Sequence, residues 1–486
     1  MRFNIRSRSR RALPLPATAV AGLAIALALC GCLVGPNYHR PSAPISTAFK
    51  EAQGWVPAEP SDAADRTDWW TVFADPTLNA LEAKVEVSNQ NLAAAEAAYR
   101  SARALVREQR AALFPQITLP VSATVSGGGA GTSTTAAGTK VTSGRGVQTD
   151  YRLGLGATWE PDLWGRIRRT IENARANAQA SKADIANARL SAQMELAVDY
   201  IQMRQLDEEK RLLDDTVAGY VRSLTITQNR YRVGVAAKSD VLSAQSQLQT
   251  TQAQALDLIQ QRARLEHAIA ILAGEPPADL TIASGPWLLK APQIPPGLPS
   301  ELLQRRPDVA AAERRAAAAN ALIGVQTAAY YPSLTLSASP GLGATNLANL
   351  FSASGFLWSL GTSVSETLFD TGARHAKVTE ARGTYDQAVA AYRQTVLTAL
   401  GQVEDNLTAQ RVLGQELALS QSASTAATQN EAIARNQYLA GQSDYTTVIV
   451  AQATALAARR AAVQIASAQL TTAVDLIAAL GGGWRA

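Results

Sequence analysis

Two stretches of this chain repeat each other without a gap. Asn229-Arg230-Tyr231-Arg232-Val233-Gly234 is followed by the pair Ala244-Gln245, and Asn436-Gln437-Tyr438-Leu439-Ala440-Gly441 by Ala451-Gln452, a shift of 207 (438 − 231). Upstream, residues 113–119 match residues 330–336 at a shift of 217 (332 − 115), so the segments between the matches differ in length. Duplication accounts for both shifts, and the fold must be made from two similar units. Each unit reads helix, strand, strand, long helix, helix. The proline-rich passage at 275–299, with Pro276-Pro277, Pro292 and Pro295-Pro296, stops helices and separates the copies. The expected organisation is a leader at 1–31, an N-terminal segment at 32–75, the first copy at 76–274, the linker at 275–299, the second copy at 300–481 and a tail at 482–486.

The long helices are unusual. Residues 166–231 hold 66 residues without a proline, and 372–438 hold 67. At about 1.5 Å per residue each would run about 100 Å. Val389, Tyr392, Val396, Leu400, Val403 and Leu407 recur at steps of three or four, as do Leu190, Met194, Val198 and Ile201, which is the seam of helices packed lengthwise. A soluble coiled coil would satisfy that pattern, but the strands would not fit it. Ile117, Leu119, Val121, Ala123 and Val125 alternate with Thr118, Pro120, Ser122, Thr124 and Ser126. Tyr151, Leu153, Leu155, Ala157 and Trp159 do the same beyond a Gly-rich turn at 127–146. The second copy repeats the pattern with Leu334, Leu336 and Ala338, then with Phe356, Trp358, Leu360 and Val364. Strands of roughly 9–11 residues, apolar on one face, suit a bilayer-crossing barrel.

Four strands cannot close a barrel, and open edges are not viable in lipid. Two copies of the chain would give eight strands, about the size whose interior side chains fill, whereas three would give twelve and leave room for a pore. The reading is an α+β membrane protein: a homotrimer with four strands per chain in one shared 12-stranded barrel, extended by a long coiled helical barrel.

The N-terminus points to the same compartment. Arg2, Arg6, Arg8, Arg10 and Arg11 precede an apolar run of only 13 residues at 17–29, too short to span a bilayer. Gly31 stands directly before Cys32 and Leu29 three positions before it, which resembles a bacterial lipoprotein signal. That resemblance implies cleavage before Cys32, S-diacylglycerol on its thiol and an N-acyl chain such as palmitate. Removing 1–31 takes away five arginines and no acids, so the net charge of +5 falls to zero, and nothing in it argues for nucleic acid. The single remaining cysteine excludes an internal disulfide, and His39, His267 and His375 form no metal-ligand spacing. The Gly-rich run at 126–131 is followed by no Gly-Lys-Ser/Thr, so it is not a phosphate loop. Asp162 and Asp370 fit turn and cap chemistry. The chain reads as no enzyme and calls for no cofactor beyond the covalent lipid.

Several motifs carry a family resemblance across nearly the whole mature chain. They are Val34-Gly35-Pro36-Asn37-Tyr38 and Arg40-Pro41 after Cys32; Trp69-Trp70 with Phe73 and Asp75; and Leu303-Gln304-Arg305-Arg306-Pro307-Asp308-Val309 with Ala312-Glu313. With the paired Tyr-Gly-Ala-Gln segments, they resemble the outer-membrane factor family of TolC-like proteins, in its NodT/OprM lipoprotein branch. The resemblance implies a trimeric channel-tunnel in the outer membrane that extends into the periplasm. It would serve as the exit duct of a tripartite efflux system, with a periplasmic adaptor (membrane fusion) protein and an inner-membrane pump of the RND class. A type I protein-secretion channel shares that fold and stays open as an alternative. A periplasmic adaptor lipoprotein fits less well, since it would have one helical hairpin and no bilayer-length strand pairs.

The resemblance also implies a gate where the helix pairs turn around, at Gly234 and Gly441. A related member hydrogen-bonds residues equivalent to Tyr438 and Asp240 in its closed state, which makes these two a candidate latch. The residue before each Ala-Gln pair, often an acid in the second copy of relatives, is Val450 here and Ser243 in the first copy. Asp444 could instead place three carboxylates around a trimer axis, favouring cations.

Overall fold

The computed structural model describes residues 33–44, 46, 48–51, 68–127, 131–134, 140–143, 147–287, 289–292 and 306–482. Cys32 and the leader lie outside the described residues, as do 288 and 293–299 of the proline-rich passage. Seven helices are described: α1 (Pro76–Ser88), α2 (Gln90–Ala111), α3 (Arg166–Arg232), α4 (Lys238–Leu272), α5 (Pro307–Ala328), α6 (Ala373–Leu439) and α7 (Tyr445–Ala479). α2 and α5 both have 22 residues, α3 and α6 both 67, and α4 and α7 both 35. Eight strands are described: β1 (Gln116–Thr118), β2 (Val121–Gly127), β3 (Gly131–Thr134), β4 (Lys140–Ser143), β5 (Val147–Gly154), β6 (Gly156–Trp159), β7 (Ser333–Ala344) and β8 (Phe356–Ser365). The chain divides into two compact units, one from 1–40, 102–178 and 315–388, the other from 41–101, 179–314 and 389–486. Both repeats contribute to each.

The first unit contains the sheet. Its four runs lie in chain order and pair antiparallel: β1 with β6, β2 with β5, β5 and β6 with β7, and β7 with β8. Two of the four expected strands are interrupted, the first at Pro120, which has no N–H to give to a ladder, and the second beside it at Leu155. The register passes through the interruption unchanged. Ile117 faces Ala157, Ala338 and Leu360 in one row, and Val121 faces Leu153, Leu342 and Phe356 in another. The opposite face carries Gln116, Thr158, Ser337 and Gly361, and then Ser122, Arg152 and Gly343. An unchanged register keeps the large apolar side chains on one face, with Leu357, opposite Gly341, as the exception. The segment 127–146, expected as a turn, is more than that: 131–134 and 140–143 pair as a separate two-stranded ladder.

The second unit is helical. Trp69, Trp70, Phe73, Leu78, Leu81 and Val85 pack with Tyr200, Ile201, Met203 and Ile269 in its largest core. Asp75 caps α1 by accepting from the amides of Thr77 and Leu78, with Pro76 at the first helical position. Its other oxygen accepts from the Tyr200 hydroxyl at 2.7 Å, and Arg204 Nε donates to that same hydroxyl at 2.9 Å. Burial, together with the Asp75 carboxylate, pushes the Tyr200 phenol up to about 12. Arg204 continues to Asp207, which also accepts from Arg262 at 2.7 Å.

This network seizes the start of the linker. Arg204 donates to the Ala283 carbonyl, Arg262 to that of Ile282, and the Ile282 amide donates to Glu266. Leu280, Ile282 and Leu289 are buried in the same core, so this part of the linker is packed structure rather than a loose tether. In the Arg-Arg-Pro-Asp-Val motif, Arg306 is buried and bidentate to Asp308 at 3.0 and 2.7 Å. It also donates to Gln402 of α6 and to the Ala479 carbonyl that ends α7.

Glu82 of α1 is fully buried, and neither carboxylate oxygen has a partner. Burial raises its pKa from 4.5 to about 9. The native chain therefore holds this proton at pH 7 while the unfolded chain has lost it. Stability contributed by this group falls as pH rises from about 4.5 towards 9, at about 1.4 kcal/mol per pH unit. Glu82→Gln is expected to melt above the wild type at pH 8, with the difference shrinking to nothing near pH 4.5. Thermal unfolding in detergent across that range checks it, and a pH-independent difference would contradict the buried-acid account.

Candidate gate and membrane-facing surface

Both long helices of the second unit stop in the same way. Gly234 and Gly441 have φ of +77° and +74°, a backbone that side chains with a Cβ rarely adopt. Val235 N–H donates to Arg230 O and Gly234 N–H to Tyr231 O; Gln442 donates to Gln437 and Gly441 to Tyr438 in the same pattern. These are paired Schellman closures, which satisfy the last carbonyls and let the chain turn at once into α4 and α7.

Around the second turn, Tyr438 is buried with Ala244, Tyr445 and Val448, its ring tilted against Tyr445 at 5.2 Å. The group that grips it is Arg230. The guanidinium lies 4.4 Å from the Tyr438 ring centroid, and Nη1 donates to the Tyr438 carbonyl at 2.8 Å. The expected Tyr438–Asp240 hydrogen bond is not made within the chain: the Tyr438 hydroxyl is buried without a partner, and half-exposed Asp240 sits in the first turn of α4. Arg230 Nε, Ser443 Oγ and Gln452 Oε1 are likewise buried and unpartnered. Asp444 caps α7, accepting from the Thr447 amide at 2.9 Å and hydroxyl at 2.7 Å, and these bonds lower its pKa. It is thus a capping residue with an exposed carboxylate. Val450 and Ser243 are both exposed, on α7 and α4.

Arg230 and Tyr445 were not singled out from the sequence. A signal for Arg230 existed, since the matched hexapeptides differ there, Arg230 standing where the second copy has Gln437. Tyr445 offered none, because it follows the repeat motif.

In the first unit the apolar face of the sheet is bare: Ile117, Val121, Trp358 and Leu360 are each about 70% exposed or more. Where strands meet helices, Trp164 stacks on Tyr331 at 4.8 Å and donates to the Pro332 carbonyl, and Arg374 lies over Tyr330. Exposed Phe114, Leu368 and Phe369 lie at the same chain junctions. Amphipathic aromatics at the end of an apolar band are the mark of a membrane–water interface. Asp162 caps α3 through the amides of Ile167 and Arg168, and Asp370 caps α6 through that of Arg374. These are the turn and cap roles expected, and neither carboxylate has a catalytic partner among its contacts.

The model of the outer membrane efflux protein family matches residues 83–275 and 298–482. The chain belongs to that family. It is 33% identical to the pyoverdine export outer membrane protein OpmQ of Pseudomonas aeruginosa, over 91% of this chain and 93% of that one. It is 31% identical to the probable efflux pump outer membrane protein TtgC of Pseudomonas putida, over 93% of each. Among solved structures, the outer-membrane channel OprN superposes with a TM-score of 0.85 at 32% identity, over 93% of this chain and all of that chain. The open-state MtrE channel of Neisseria gonorrhoeae superposes with 0.80 at 27%, over 93% and 99%. The fold is thus that of the TolC-like outer-membrane channels, and this efflux protein is an outer-membrane transport channel and not an enzyme.

Arg230→Ala removes a charged hydrogen bond and a cation–π contact from the turn of this efflux protein. The amides of residues 436–442 are expected to lose about 1–3 kcal/mol of local protection. Hydrogen exchange on the purified channel measures it; unchanged exchange there would show that Arg230 does not hold the turn.

Proposed function

We propose that the chain is the exit duct of a tripartite efflux system, working as a homotrimer with a periplasmic adaptor and an inner-membrane RND pump. Its cargo is small organic molecules. The observation that carries the trimer is the sheet. The outer edges of β1 and β2 on one side and of β8 on the other have no neighbour among the described residues, and one face is predominantly apolar. Edges of this kind need partners in lipid, and three chains of four runs make a barrel wide enough to conduct. That relatives are named for export of pyoverdine and efflux of toluene supports small molecules over secreted proteins. Cys32 carries the S-diacylglycerol and N-acyl groups, and the lipid supplements the barrel as an anchor.

Deleting the gene is expected to sensitise the host to exported compounds, with the plasmid-borne gene restoring resistance. Cysteines placed on β2 and β8 should cross-link chains into a ladder that ends at three. A ladder ending at two, or none, would overturn the shared barrel.

The helix turns form the gate. Since Tyr438 and Asp240 are apart within one chain, the latch forms only in the closed assembly, where the buried phenol gains an acceptor. Asp240→Ala should then raise single-channel conductance and uptake of large antibiotics. Unchanged conductance removes Asp240 from the latch, leaving the Arg230 contacts to hold Tyr438.

A further inference from the structure

We propose that residues 33–38 form a clasp, with Arg169 as its positioning residue, that fixes where the lipidated N-terminus enters the membrane; this rests on lipidation of Cys32. Arg169 lies in the first turn of α3 and is 1% exposed. Its Nε donates to the Val34 carbonyl at 3.2 Å, and Nη2 donates to the Gly35 carbonyl at 3.1 Å and to Asn37 Oδ1 at 3.0 Å. Nη1 donates to Glu172 at 2.7 Å. Three of the four acceptors therefore come from the strap. Without it, a buried cation would keep a single partner, so strap and guanidinium stand or fall together.

The recess is built for the strap. A Cβ on Gly35 would stand 2.4 Å from the Gly324 Cα of α5, and one on Gly324 would stand 2.8 Å from Arg169 Cγ and Nε. A Cβ on Gly165 would stand 2.4 Å from Leu33 Cδ1. Gly35 and Gly165 have φ of +87° and +82°. Three glycines in three separate segments thus clear one path. Asn320 of α5 donates to the Pro36 carbonyl at 3.1 Å, the Val34 amide donates to Trp164 O at 3.2 Å, and Tyr38 packs on Ala176, Ala317 and Ala318. The strap joins α3 of the first repeat to α5 of the second.

Leu33, one residue after the acylated cysteine, lies against Gly165 at the start of α3, beside the Trp164–Tyr331 stack. A free tether of this length could present its lipid anywhere around the chain. A clasped one presents it at the base of β6 and β7, where the aromatic band ends. The acyl chains then enter the bilayer beside the strands of their own protomer.

Cells fed a photoactivatable fatty acid would place the probe on Cys32 of the full-length channel, and irradiated outer membranes would be mapped by mass spectrometry. Wild-type cross-links should cluster on residues 156–164 and 331–336. Arg169→Ala should scatter them, and Arg169→Lys should not restore the cluster, because a single ammonium cannot match the planar fork. Asn37→Ala, a milder change, keeps the test open if Arg169→Ala does not assemble, and should broaden the cluster. A scattered wild-type map, or variants that keep the wild-type map, would overturn the clasp. If no probe is found on Cys32, it is the lipidation reading that fails. Protease protection of residues 33–38 then decides the clasp, protection supporting it and cleavage overturning it.

Discussion

Backbone amides and carbonyls have no water to bond in hydrocarbon, so a membrane strand is viable only with a neighbour on each side. In this efflux protein that requirement governs the first unit and reaches past the single chain. The four runs pair in sequence order with one register held through Pro120 and Leu155, so Ile117, Ala157, Ala338 and Leu360 share a face with Val121, Leu153, Leu342 and Phe356. A slip of one residue in any run would send polar side chains such as Thr158 and Ser337 to the lipid. Both outer edges are unpaired among the described residues. Edges of this kind call for strands from other chains, whereas the bare apolar face is the one turned to lipid.

The same local chemistry is used twice. Asp162 and Asp370 start the long helices, and Gly234 and Gly441 end them with the same pair of closing hydrogen bonds. Gly274 and Gly481, also at positive φ, close α4 and α7. Given that sameness, the points where the copies diverge are informative. Arg230 has Gln437 as its counterpart, and only the arginine reaches across to the other copy's tyrosine. Val450 and Ser243, by contrast, are both exposed and both uncharged.

Periodicity made most of the fold readable. A period of two gave the strands, proline-free runs gave α3 and α6 to within a residue, and Asp and Gly marked their ends. What stayed hidden depends on contacts distant in sequence. The Asp75–Tyr200–Arg204–Asp207–Arg262 chain links residues up to 187 positions apart (262 − 75), and no local pattern announces it. The linker's prolines announced only that helices stop there, yet Leu280 and Ile282 bury themselves, and the carbonyl and amide of Ile282 are claimed by arginine and glutamate. At the helix turns, the expected Tyr438–Asp240 pairing came from resemblance to relatives. The contact the chain actually makes, from Arg230, lay inside the repeat and needed the fold to show which tyrosine it meets.

The two polar clusters of the second unit differ in how far they are satisfied. Around the linker, Asp207 accepts from Arg204, Arg262 and the Gly285 amide, and Glu266 from Arg262 and Ile282. At the helix turns, Tyr438 Oη, Arg230 Nε, Ser443 Oγ and Gln452 Oε1 are buried with nothing to bond. Each such group costs about 1–3 kcal/mol relative to a bonded one. The linker cluster has little to gain from any rearrangement, whereas the turns gain from any state that supplies acceptors and donors. In the closed assembly of the proposed gate they would pair across chains, and in the opened one they would meet water. Conformational change is thus cheapest at the turns and dear at the linker, which suits the proposed gate.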